Sequence, residues 1–310
     1  MAASSTSESG TAPPPVVQEV SKGIYAYLQP DWSWFLNNTG FIVGEHGVTV
    51  VDACATERRT RAFIEHIRRL TDRPLRTLVN THHHGDHTFG NFAFTPAAIV
   101  GHERCREEVE RVQLTTTGLV SGVDWGALQV APPFITFEDR VNVYVDGLKL
   151  ELIFVGPAHT IDDIVIWMPE RRVLFAGDLL FNKCTPFVVE GSVANYFSAL
   201  ETARRLDPEI IVPGHGEVCG PEVIDEVERY LRFVQRTGRR AFAAGLSPLE
   251  AAKQADLGAF AGWGESERLV GNLARAYSEL RGEPLGHPLP LGDLVPQMAA
   301  YAGGPLRSLA

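Results

Sequence analysis

The stretch Leu75-Arg76-Thr77-Leu78-Val79-Asn80-Thr81-His82-His83-His84-Gly85-Asp86-His87 joins a short apolar run to a dense set of metal-ligating side chains. Residues 75–79 have the composition of a buried strand, and the chain leaves that strand directly into the His-rich turn. Loops at strand ends are where a rigid framework presents ligands. In an extended turn His82 and His84 point one way, whereas Asp86 and His87 turn toward a neighbouring position.

Outward from this turn, the same device recurs. Short runs at Ile24–Leu28, Gly40–Val43 and Val48–Val51 read as strands, and Glu57–Leu70 carries Phe63, Ile64, Ile67 and Leu70 at helical spacing. A strand at Ala98–Val100 and a helix over 103–112 follow, then a connection over 113–136 with little periodicity. In the second half, Leu148–Val155 runs into His159, Val173–Ala176 ends at Asp178, and Glu209–Val212 ends at His215. Helical patterns then dominate: one over 223–234, one opened by Ser247-Pro248, and one marked by Leu269, Val270, Leu273, Tyr277 and Leu280.

Imidazoles with two carboxylates and no thiolate in the motif suit zinc or a similar borderline cation. The spacing assigns His82, His84 and His159 to one cation, and Asp86, His87 and His215 to a second, with Asp178 bridging. Two cations roughly 3.5–4 Å apart supply Lewis-acid and hydroxide chemistry with no redox requirement. The expected cofactor is therefore two zinc ions per chain, with manganese or iron as cations the same donors accept; Asp86 and Asp178 are the expected catalytic carboxylates. His46, His66, His102 and His287 lack such company and read as surface or hydrogen-bonded residues. Cys184 and Cys219 read as small buried thiols rather than ligands.

The 310 residues are 45% hydrophobic and 21% charged, enough for one large domain with a sizeable core. Lys and Arg total 28 against 38 acidic residues, a net charge of −10 that argues against a nucleic-acid partner. No apolar run reaches the roughly 18 residues of a membrane span. Residues 1–15 lack a basic start and an apolar run, so they read as a disordered tail and the protein as cytoplasmic. Residues 16–240 form the expected main domain, and 241–310 a helical extension that covers the substrate side, adds to the core or makes a homodimer contact.

The motifs Thr81–His87, Gly156-Pro157-Ala158-His159-Thr160, Ala176-Gly177-Asp178 and Pro213-Gly214-His215-Gly216 run in an order that resembles the metallo-β-lactamase superfamily. That resemblance implies an α+β fold, a four-layer αβ/βα sandwich, with a binuclear site at one edge. It also implies that Asp52, at a strand end, supports the His-rich loop. Within the superfamily, the segment after Asp178 is similar to the glutathione-thioester hydrolases. However, Lys183-Cys184-Thr185-Pro186 departs from their pattern, and lactone hydrolases share the metal motif.

Segments Val79–Asn91, Val123–Gly126, Gly156–Thr160, Thr185–Val193, Gly220–Asp225 and Ala255–Ala261 resemble the bacterial aromatic polyketide cyclases of this fold, of the actinorhodin second/third-ring type. The resemblance implies aldol closure and dehydration of a partly cyclised poly-β-ketone, carried free or as a thioester on acyl carrier protein. A stand-alone thioester or lactone hydrolase is the alternative. A flat aromatic substrate calls for aromatic walls. The candidates are Trp32, Trp34 and Phe35 in a polar loop, Phe89, Phe181, Phe187 and Tyr196 near the ligands, and Lys183 for an acidic group.

Overall fold

The protein is described by a computed structural model covering residues 12–31 and 33–310. Two sheets form its centre. The first contains β1 (Val16–Ser21), β2 (Ile24–Leu28), β3 (Thr39–Val43), β4 (Val48–Val51), β5 (Leu75–Val79), β6 (Ala98–His102) and β7 (Ile135–Phe137), paired in chain order. Its first four strands are antiparallel, and β4 through β7 are parallel. The second sheet holds β8 (Arg140–Val145), β9 (Leu148–Phe154), β10 (Ile164–Met168), β11 (Val173–Phe181) and β12 (Ile210–His215), in the order β12-β11-β10-β9-β8. Only β11 and β12 pair in parallel there.

Successive side chains of a strand face opposite ways, and this alternation builds the layers. Ile42, Val51 and Val79 of the first sheet pack against Leu152, Ile166, Val173 and Phe175 of the second. Their neighbours Phe41, Val50 and Leu78 turn to the outer face, onto Phe63 and Ile67 of α1 (Glu57–Leu70). On the far side, Val165, Trp167, Leu174 and Ala176 meet α4 (Val193–Arg205) and α5 (Glu222–Ala243). Helix, sheet, sheet and helix are thus stacked as an αβ/βα sandwich. Two shorter helices of the first half, α2 (Gly85–Thr88) and α3 (Glu103–Val112), follow β5 and β6.

The helical C-terminal region comprises α6 (Pro248–Gln254), α7 (Arg268–Leu280) and α8 (Leu291–Ala302). Leu269, Val270 and Leu273 of α7 and Met298 of α8 share one core with β10, β11 and α4. The boundary expected at 240 falls inside α5. The connection over 113–136 contains a 3-10 turn at Thr115–Leu119 and ends in β7. No helix among the described residues is long and apolar enough to cross a membrane.

β11 runs five residues past the Ala176 expected as its end, because the parallel partner β12 continues alongside it from Gly177↔Pro213 to Phe181↔His215. Two glycines permit this. Gly177 has φ +50°, and a Cβ there would meet Thr81 Oγ1 at 2.7 Å. A Cβ on Gly214 would lie 1.9 Å from Asp178 Oδ1. Backbone and carboxylate therefore approach more closely than any other residue type allows.

Candidate metal centre

The strand ends converge. His82, His84, His159 and Asp178 present ligand atoms that all lie within 4.8 Å of one another, and so do Asp86, His87, His215 and Asp178. Asp178 belongs to both groups. His159 Nε2 lies 2.8 Å from His84 Nδ1 and 3.3 Å from Asp178 Oδ2. His215 Nε2 is 3.2 Å from Asp178 Oδ2 and 3.5 Å from Asp86 Oδ2, and His87 Nε2 is 3.2 Å from Asp178 Oδ1. The seven residues are those that the sequence spacing singles out, divided into the same two sets.

The donors fit a pair of cations. His82 Nε2 is buried and turned into the cluster with no hydrogen-bond partner, and His87 Nε2 and Asp178 Oδ1 are buried facing each other at 3.2 Å without hydrogen-bond geometry. Buried polar atoms without partners are costly, and two cations, one on the His82 group and one on the His87 group with Asp178 shared, would remove that cost. Burial, with the charge of His87 beside it, drives the His82 pKa far down, and burial drives His159 to about 3. Both imidazoles are thus neutral at pH 7, the form that offers a lone pair. Burial opposes charge on His87 too, but Asp178, Asp86 and Asp52 outweigh it and hold its pKa well above the ordinary value. In this carboxylate-rich pocket a proton takes up the charge that a cation would supply.

The outward nitrogens of four imidazoles are held. His87 Nδ1 lies 2.8 Å from Asp52 Oδ2, and Asp52 also accepts from the Thr81 amide at 2.8 Å and the Thr81 hydroxyl at 2.7 Å. Asp52 sits at φ +59°, an uncommon backbone for a non-glycine residue, so the strand end is bent to bring this carboxylate beneath the turn. His82 Nδ1 contacts Thr81 Oγ1 at 3.1 Å, and His159 Nδ1 contacts the Phe187 carbonyl. His84 Nε2 is 2.7 Å from Glu190 Oε2. Such outer partners fix ring orientation.

His83 faces the opposite way. Its Nδ1 is 2.6 Å from Asp162, and its Nε2 is 3.5 Å from Glu190. Burial disfavours its charge, but those two carboxylates hold its pKa well above normal. The grouping His83, His84 and Glu190 is therefore a half-buried network of polar contacts that braces the first ligand set.

A cleft opens onto the cluster, lined by Trp34, Phe35, Phe187, Thr116, Glu190 and Arg268 together with His84, Gly85, Asp86, His159, Asp178 and His215. Trp34 meets Phe187 edge to face at 5.1 Å between centroids. Phe35 packs on Phe89 and Trp125, so Phe89 and Trp125 form a layer behind the wall. Trp32 lies outside the described residues.

Besides Phe89, three expected wall residues belong elsewhere. Tyr196 is fully buried, its hydroxyl contacting the Asp178 and Leu179 carbonyls at 2.8 and 3.0 Å, so it props the strand from behind. Phe181 is buried and stacks flat on His215 at 5.2 Å, beneath the ligands. Lys183 is 56% exposed and paired with Glu226 at 2.8 Å, because the turn after β11 directs it outward onto α5.

Sequence reasoning missed Glu190, Trp125 and Arg268. Arg268 opens α7, is 3% exposed, and holds its guanidinium 5.0 Å above the Trp34 ring. Nothing in its local sequence separates it from a surface arginine.

A family model described as the metallo-beta-lactamase superfamily matches residues 32–215, more than half of the chain. The chain is 21% identical over 234 residues to a metallo-beta-lactamase type 2 of Bacteroides fragilis, covering 72% of this chain and 88% of that one. It is 31% identical over 180 residues to a hydroxyacylglutathione hydrolase of Polaromonas sp., covering 55% and 57% of the two chains. Among solved structures, a metallo-beta-lactamase from Pontibacter korlensis superposes with a TM-score of 0.61 at 17% identity, covering 71% of this chain and 99% of that one. Together with the ordered ligand motifs and the four-layer sandwich, the match over 32–215 makes this chain a member of the metallo-beta-lactamase superfamily.

Proposed function

We propose that the protein is a binuclear metal-dependent cyclase of aromatic polyketides, closing a ring by aldol condensation and dehydration. The observation that carries this reading is the aromatic wall of Trp34, Phe35 and Phe187 facing the double ligand cluster across one cleft. Flat walls suit a flat, partly aromatic substrate. The resemblance of Thr185–Val193 and Ala255–Ala261 to such cyclases supports it from the sequence.

Two cations held by His82, His84, His159, Asp86, His87, His215 and Asp178 would supply Lewis-acid polarisation of a substrate carbonyl. The chain's own groups do the rest. Trp34 and Phe187 orient the ring system, and the enclosing wall excludes water from the reacting carbons. The Asp86 carboxylate lines the cleft and is the more accessible of the two catalytic acids, at 12% against 4% for Asp178. Asp86 takes the proton from the carbon next to the polarised carbonyl. That carbon then bonds to a second carbonyl carbon of the same chain. The proton returns to the new alkoxide and makes it a hydroxyl. Asp86 then takes the second proton of the same carbon and passes it to that hydroxyl, which leaves as water as the carbon–carbon double bond forms.

Similarity to a protein named hydroxyacylglutathione hydrolase favours one second reading, thioester hydrolysis. The test is to supply a partly cyclised aromatic poly-β-ketone, free and as a carrier-protein thioester, and to follow mass and absorbance. Loss of one water with a new aromatic absorbance is expected. Thioester cleavage without ring closure would replace the cyclase reading with the hydrolase.

A further inference from the structure

The cleft contains one permanent cation that the metal chemistry does not use. Arg268 is 3% exposed, and its Nη1 donates to the Thr185 carbonyl at 3.1 Å and approaches Cys184 Sγ at 3.5 Å. Its buried Nε has no acceptor. Among the described residues no carboxylate lies within salt-bridge distance of the guanidinium. Glu267 accepts from Trp34 Nε1 at 2.8 Å instead. Burial drives the Glu265 carboxyl up to about 9, against the pull of Arg268, so that neighbour is neutral at pH 7.

A buried guanidinium with no carboxylate in salt-bridge contact is expensive, even with Glu267 and Asp178 favouring its charge through space, and here its surroundings fix its direction. The Trp34 ring lies 5.0 Å and the Phe181 ring 5.7 Å from the guanidinium carbon. The aromatic contacts favour the cation while leaving its in-plane donors for an acceptor. Arg268 also lines the cleft that holds Asp178 and His215. It arrives from α7, outside the residues 32–215 matched by the family model.

We propose that Arg268 is a substrate-binding residue that receives a planar oxyanion, a carboxylate or the enolate of a 1,3-dicarbonyl, carried on the aromatic substrate. The cluster then takes one carbonyl of the molecule while Arg268 takes its delocalised negative charge. This deepens the cyclase reading and rests on its premise that a flat ring fills the cleft; ring closure is not part of the test, so the two can fail separately.

The zinc-loaded protein is titrated calorimetrically with 2-naphthoate and with its neutral isostere 2-naphthamide. Wild type is expected to prefer the anion by at least about tenfold, and R268Q to lose about 10- to 100-fold in 2-naphthoate affinity. 2-Naphthamide affinity and zinc content stay as in wild type. Equal binding of the two probes by wild type, or an undiminished anion preference in R268Q, would overturn the proposal; the latter would give the anion to the metals. If R268Q also loses 2-naphthamide, R268K decides. Its ammonium cannot present a planar fork, so the preference falls about tenfold, and an unchanged preference would overturn the assignment.

Discussion

The ligand cluster and the cleft wall meet at one surface but are built in opposite ways. The cluster is made at strand ends, and each ligand sits in, or a few residues from, the strand that positions it. Its imidazoles are braced by nearby groups such as Thr81 and Asp52. The wall is assembled from segments distant in sequence. Trp34 donates its indole N–H to Glu267 and its amide to the Arg307 carbonyl at 3.0 Å, and its carbonyl accepts from the Ser308 hydroxyl at 2.7 Å. The ligands are thus placed locally by the sandwich, and the wall by contacts from the C-terminal region. The two should come apart under mutation.

The largest effect is expected inside the cluster. D178N removes a carboxylate shared by both ligand groups, so metal content falls below two per chain. Ring-closing activity drops on the order of 10³-fold. Elemental analysis and a turnover assay on one preparation read both. Next is D52A, which frees His87 and the Thr81 turn without touching a ligand. Zinc affinity should weaken by about 10- to 100-fold, measured by chelator competition, with substrate KM little changed once metal is saturating.

On the other side, W34A or removal of residues 306–310 should raise KM about tenfold while leaving two metals bound. If either variant loses metal, the separation between cluster and wall breaks. The smallest effect is a pH dependence beneath the wall. Burial holds Glu265 protonated to about 9, whereas the unfolded carboxyl ionises near its ordinary value. Between those values the folded state binds the extra proton, so this group makes stability fall as pH rises. E265Q should match wild type near pH 4 and exceed it by a few degrees in Tm at pH 8.

The sequence was most legible where position along the chain and position in space coincide. A strand followed at once by His82, His84, Asp86 and His87 leaves little freedom in where those side chains go. The same locality makes the alternating strands readable: Phe41 faces outward and Ile42 inward because the period is two. Tyr196 was misread although its helix carries the answer. Val193, Tyr196, Leu200 and Ala203 share one buried face of α4, and that spacing marks core, not cleft. α8 escaped notice because Pro296 interrupts its interior, although Leu291, Leu294, Val295 and Met298 keep helical spacing. Glu190 and Arg268 could not be found this way at all, since each meets its partners across more than 80 residues of chain.

The central claim is that the two ligand groups joined by Asp178 hold a pair of cations. Elemental analysis of the purified protein after zinc loading and removal of free metal tests it most directly. The account predicts close to two zinc ions per chain, falling in H82A and D178N. A chain that retains no tightly bound metal, or retains the same amount after both substitutions, would contradict it.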